Sequence, residues 1–131
     1  MKIAIITDDG KTVSQHFGRA AYYLVLTIED GRINNREMRE KMGHNQFSAT
    51  DHGEHHHEHH GTVENSHNKH TQMAASISDC AAVICGGMGT GAYESMKRLN
   101  INPIVTDILD VNIAAQSYID EILINHVEKL H

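Results

Sequence analysis

The sequence predicts an α/β domain, one mixed sheet with helices packed on it. Three observations carry this. The first forty residues read as an antiparallel meander, with the two-residue hairpin signal Asp30-Gly31 between its second and third strands. Residues 81–106 alternate short apolar strands with a helical pattern, as parallel crossovers do. The chain has 131 residues, which suits a single domain, 1–131.

The elements follow in order. "KIAIIT" (residues 2–7) is a β-rich apolar run that ends in the turn residues "DDG". "AYYLVLTIE" (21–29) is a second strand. "RINNREMRE" (32–40) returns as a third, and its only large apolar residues are Ile33 and Met38. So charged a strand suits a sheet edge. From 42 to 67 the pattern vanishes, and this stretch reads as a mobile, histidine-rich insertion within the domain. Helical spacing resumes over 68–79, with Met73, Ala74 and Ile77 on one face. "AAVIC" (81–85) is a strand covered on both faces. Residues 91–100 are helical with Met96 and Leu99 inward, and 102–106 form a strand with Pro103 near its start. Asp110 caps a last helix running to about residue 129, striped by Val111, Ala114, Ala115, Tyr118, Ile122, Leu123 and Val127.

Composition excludes several functions. The formal net charge of −6 argues against an electrostatic nucleic-acid binder, and the absence of tryptophan leaves few stacking surfaces. No apolar run approaches the roughly 20 residues of a bilayer span. The apolar start is too short for a signal peptide core, so a cytoplasmic protein is expected. Cys80 and Cys85 flank or share one strand at an odd offset, which would point them to opposite faces and prevent a bridge.

Two loops carry the candidate chemistry. In "CGGMGTGA" (85–92), Gly87 to Ala92 fits G-x-G-x-x-[GA] between a strand and a helix, with Asp107 twenty residues beyond Gly87. Those are the terms of a dinucleotide site. A small nucleotide-binding enzyme is therefore one reading, although no second mononucleotide-binding half follows. The underlying physics is broader. Bare backbone and a helix start favour anions in general, a sulfide-rich cluster included. The same pattern also serves a tight turn that only packs helix on strand. The amides of Gly86, Gly87, Gly89 and Gly91 are the candidate donors. Cys85, at the strand end, is an optional thiolate ligand or a buried packing residue. In "QHFGRA" (15–20), Phe17 anchors a turn that holds up the His16 imidazole, and Arg19 adds a cation. If the first strand lies beside the fourth, the two loops share one rim. No nucleophile–base pair is evident, so catalysis is not expected.

"TDDGKTVSQHFGRAAYYLVLTIEDGRI" and "AASISDCAAVICGGMGTGAYESMKRLNINPIVTD" resemble the dinitrogenase iron-molybdenum cofactor biosynthesis family. That family takes in the NifX and NafY carriers and the C-terminal domain of NifB. The resemblance implies a ribonuclease H-like three-layer fold with sheet order 3-2-1-4-5. It also implies binding or transfer of an iron- or molybdenum-containing sulfide cluster, or a molybdenum–copper one, between donor and acceptor proteins. The family's favoured cluster contact maps onto His16. This chain departs from the family in its insertion and in "YIDEILINH" (118–126), where relatives often carry glycine.

The insertion supports a separate reading. Nine of the twelve histidines fall between residues 44 and 70. His55, His56, His57, His59 and His60 interleave with Glu54 and Glu58. Such imidazoles suit Ni, Zn or Cu, which makes a divalent-metal buffer or chaperone the alternative function. A solvated loop that meets metal only incidentally explains the same composition.

Overall fold

The computed structural model describes residues 1–41 and 74–131. The expected insertion at 42–67, and with it His55, His56, His57, His59 and His60, lies outside the described residues. Five strands form one sheet: β1 (Lys2–Thr7), β2 (Tyr22–Glu29), β3 (Arg32–Glu40), β4 (Ala82–Cys85) and β5 (Asn102–Val105). Their order is β3-β2-β1-β4-β5. The β1–β2 and β2–β3 pairs are antiparallel, and the β1–β4 and β4–β5 pairs are parallel. The β2–β3 turn carries positive φ at both Asp30 (54°) and Gly31 (74°), the conformation that lets a two-residue hairpin follow the strand twist.

Alternation along the strands builds two apolar layers. Ala4, Ile6, Tyr23, Val25, Val83 and Cys85 face one layer, with Ala74, Ile77 and the helix α1 (Thr90–Arg98) over them. Ile3, Ile5, Leu24, Leu26, Ala82 and Ile84 face the other, under the helix α2 (Val111–Ile119). β3 is mostly exposed and lies at the edge, as its charges require. Arg39 ties it to the first layer, gripping Asp79 with bonds of 2.8 and 3.0 Å and the Ser76 carbonyl at 2.7 Å.

Three expectations need correction. Leu99 does not point inward; it is 38% exposed. α1 ends in a left-handed turn at Asn100 (φ 65°), with Asn100 N–H on the Lys97 carbonyl and Ile101 N–H on that of Met96. This C-terminal motif swings Ile101 into the core in place of Leu99. The last helix stops at Ile119 rather than near 129. Glu121 adopts φ 62°, and Asn125 then bonds the β5 edge through Val105 N–H at 2.9 Å. Ile122 and Val127 are left exposed, while Leu123 packs on the second layer. Finally, Cys80 and Cys85 face the same layer, because Cys80 precedes β4 and is not bound by its alternation. Both thiols are free.

Candidate functional site

The rim begins where β1 and β4 end side by side. The turn after β1 is built by Asp9, whose carboxylate accepts the backbone N–H groups of Lys11 and Thr12, both at 2.8 Å. Those bonds hold its pKa down near 2. Asp8 accepts Ala21 N–H at 2.8 Å and so closes the 14–20 loop against the start of β2. Both residues serve turn geometry. Asp107, the acid of the dinucleotide pattern, is mostly exposed and faces His126 at 3.7 Å.

The 14–20 loop interlocks with the glycine loop. Gly86 N–H donates to the Ser14 carbonyl at 2.7 Å, and Phe17 N–H donates to the Gly87 carbonyl at 3.1 Å. Phe17 is buried while His16 and Arg19 stay exposed. The Ser14 hydroxyl accepts His16 N–H at 3.1 Å, and the His16 carbonyl accepts Arg19 and Ala20 N–H groups, each at 3.2 Å. This one-turn wrap presents the imidazole and the guanidinium outward from a loop whose base is locked to the glycines.

The glycines are explained by that lock. A Cβ on Gly87 would sit 2.6 Å from the Gln15 backbone oxygen, and one on Gly86 would overlap the Gln15 side-chain amide. The expected ligand donors need correction accordingly. Gly86 N–H is committed to Ser14, and Gly87 N–H is directed at the Cys85 sulfur. Gly89 and Gly91 remain at the start of α1, which has no side-chain cap. Of its first-turn amides, Thr90 N–H donates to the His131 backbone oxygen at 3.1 Å. Of the glycines in the nucleotide pattern, close loop packing accounts for the bare backbone of Gly87, as it does for Gly86 just before it.

Cys85 is fully buried, and burial pushes its thiol up to about 12, against the opposing bond from Gly87. It packs in the core as a neutral thiol, a consequence of ending a strand covered on both faces. Among the described residues no group of three His, Cys, Asp or Glu side chains is disposed to hold a metal ion. The described residues of the rim therefore form no closed ion cage. They offer one imidazole, one guanidinium and a helix start, a set suited to an anionic body carrying its own internal bonds.

Sequence reasoning missed three participants. Gln15 is the neighbour that requires the glycines. The tail reaches the rim, with His131 N–H on the Met88 carbonyl at 3.2 Å. Only the helix pattern drawn to 129 concealed that return. Lys41, just past β3, is buried behind Phe17. A lone lysine beside a charged edge strand gives no sequence signal of burial.

Comparison with known proteins places this geometry. The family model described as dinitrogenase iron-molybdenum cofactor matches residues 1–121. The chain belongs to that family. The match takes in every described strand and both described α-helices and stops before the tail. An uncharacterized protein of Methanocaldococcus jannaschii is 29% identical over 104 residues, 78% of this chain and 71% of that one. The crystal structure of the protein designated PH0822 has a TM-score of 0.61 at 26% identity, covering 96% of this chain and 95% of that chain. The apo form of the orange protein from Desulfovibrio gigas shares the fold, with a TM-score of 0.63 at 20% identity over 93% and 89% of the two chains. The two solved structures thus match across nearly the whole chain, and no described helix is long and apolar enough to cross a membrane.

Proposed function

We propose that this chain carries an iron- or molybdenum-containing metal–sulfur cluster, or its inorganic precursor, and catalyses no step itself. His16 is the soft-metal contact. Arg19 offsets the cargo's negative charge, and the first turn of α1, with Gly89 and Gly91, adds a positive field. Gly86 and Gly87 act by seating the His16 loop, and Cys85 supports it from the core. The observation that carries this reading is the pair of backbone bonds joining the two loops, Gly86 to Ser14 and Phe17 to Gly87. They bring the loop that carries the exposed imidazole to the glycine loop that leads into α1, whose start has no side-chain cap. The family description, which names the iron-molybdenum cofactor, supports the choice of cargo. The three-layer frame is read with it as ribonuclease H-like, serving as a scaffold. Cluster donor and acceptor proteins are the partners that such a carrier needs.

Anaerobic reconstitution with iron, molybdenum and sulfide tests the proposal. The wild type should develop a sulfide-to-metal charge-transfer band, and His16→Ala should lose most of it. A His16→Ala protein with the full band contradicts the assignment.

The concentration of nine histidines between residues 44 and 70 favours a second reading, a buffer for Ni, Zn or Cu. It predicts divalent-metal binding that disappears when that segment is deleted. Unchanged stoichiometry after deletion refutes it.

A further inference from the structure

Behind Phe17 lies a charge that the rim does not yet use. Lys41 donates its backbone N–H to the Ala21 carbonyl at 2.9 Å, which fixes it against the base of the His16 loop. The residue is only 4% exposed. Its Nζ is buried and has no hydrogen-bond partner among the described residues. The ammonium stands 5.2 Å from the centroid of the Phe17 ring. Asp8 is near enough to act on it through space, yet its carboxylate is engaged with Ala21 N–H.

An ammonium brings three donors and accepts nothing. Enclosing it without acceptors is costly, and one aromatic face offsets only part of that cost. A lysine kept for packing alone lays its stem along apolar surface and sends the amine to water. Lys41 does the opposite. Burial lowers its pKa to about 8, with Asp8 opposing, so the amine remains largely cationic near neutral pH. The missing component is a body rich in acceptors and negative charge. The enclosure of Nζ behind Phe17 also limits its size.

We propose that Lys41 is an anion-binding group of the His16 rim that takes a small tetrahedral oxo- or thio-anion of a single metal centre, the molybdate and tetrathiomolybdate class. This rests on the carrier reading and deepens it. It assigns the mononuclear precursor to the buried cation, while assembled clusters stay at His16 and Arg19 outside.

Calorimetric titration of molybdate and of tetrathiomolybdate into the full chain at fixed ionic strength tests it, using wild type, Lys41→Met, Lys41→Gln and His16→Ala. Both Lys41 variants should bind molybdate about tenfold or more weakly, the effect of losing charge-assisted hydrogen bonds. Lys41→Met should nonetheless melt at or above the wild-type temperature, because it removes an unpaired buried charge. That separates a lost anion contact from a lost fold, and Lys41→Gln repeats the test with a polar side chain. Wild-type affinity in both Lys41 variants overturns the inference; if His16→Ala alone loses binding, the carrier reading survives without it. Weakening in the Lys41 variants alone is the expected result and sustains the buried site, since His16 is assigned to assembled clusters. A wild type that binds neither anion overturns the Lys41 site, while cluster reconstitution still decides the carrier reading. Full displacement of molybdate by equimolar sulfate overturns the assignment to a metal-centred anion.

Discussion

Gly87→Ala probes the junction on which the site stands. Gly87 has no left-handed backbone conformation to protect, so the effect of a methyl group there is steric. The new Cβ would lie 2.6 Å from the Gln15 backbone oxygen. Backbone cannot rotate away as a side chain can, so the loops must separate by several tenths of an ångström. That strains or breaks Gly86 N–H to Ser14 and Phe17 N–H to Gly87. Two such bonds at roughly 0.5–1.5 kcal/mol each, together with overpacking, give a loss of about 2–4 kcal/mol. Gly86→Ala is the internal control. Its Cβ meets only the end of the Gln15 side chain, which is exposed and free to swing out, so the loss should stay below about 1 kcal/mol. Urea denaturation followed by far-ultraviolet circular dichroism measures both. Equal losses in the two variants, or a Gly87→Ala loss under about 0.5 kcal/mol, would refute the interlock argument.

Other consequences are open to the same methods. Asp110 accepts Asn112 and Ile113 N–H groups at 2.8 and 3.0 Å, so Asp110→Ala should cost about 1 kcal/mol in urea denaturation. Lys41 titrates near 8 when folded and near 10.5 when unfolded. Between those values only the unfolded chain keeps the proton, so wild-type stability should rise with pH there, by up to about 3 kcal/mol. Lys41→Met should lack that rise; a parallel pH profile for the two proteins contradicts the burial of the charge. Arg39 holds the Asp79 carboxyl well below the usual range. The stabilisation it gives is present above the unfolded pKa near 3.8 and is lost as pH falls through the folded value. Because the pair is partly exposed, Asp79→Asn should cost no more than about 1 kcal/mol at pH 7, and less at pH 2.

Strand boundaries could be read from residues with strong local causes. The charges of β3, the Asp30-Gly31 hairpin and the unbroken apolar runs of β1 and β4 each report their own environment. The end of the final helix could not, because its apolar stripe runs past Ile119. What stops it is a long-range bond from Asn125 to the β5 edge. The glycine loop misled in a related way. Its spacing matches a ligand motif, but at Gly86 and Gly87 the demand for bare backbone comes from Gln15, about seventy residues away in sequence and touching in space. The pairing of the His16 and glycine loops followed once β1 was placed beside β4. Burial of Lys41 did not, since it depends on how Phe17 and the start of β2 close over the end of β3.

The central claim is that anionic metal–sulfur cargo rests where residues 14–20 meet residues 86–91. Anaerobic 1H–15N correlation spectra of the full chain, recorded while a preassembled molybdenum–copper sulfide cluster is added, test it most directly. The account predicts that the largest shifts fall on the His16, Phe17, Arg19, Gly89 and Gly91 amides. Saturating shifts confined to the opposite end of the sheet, around the Asp30-Gly31 hairpin, would contradict it.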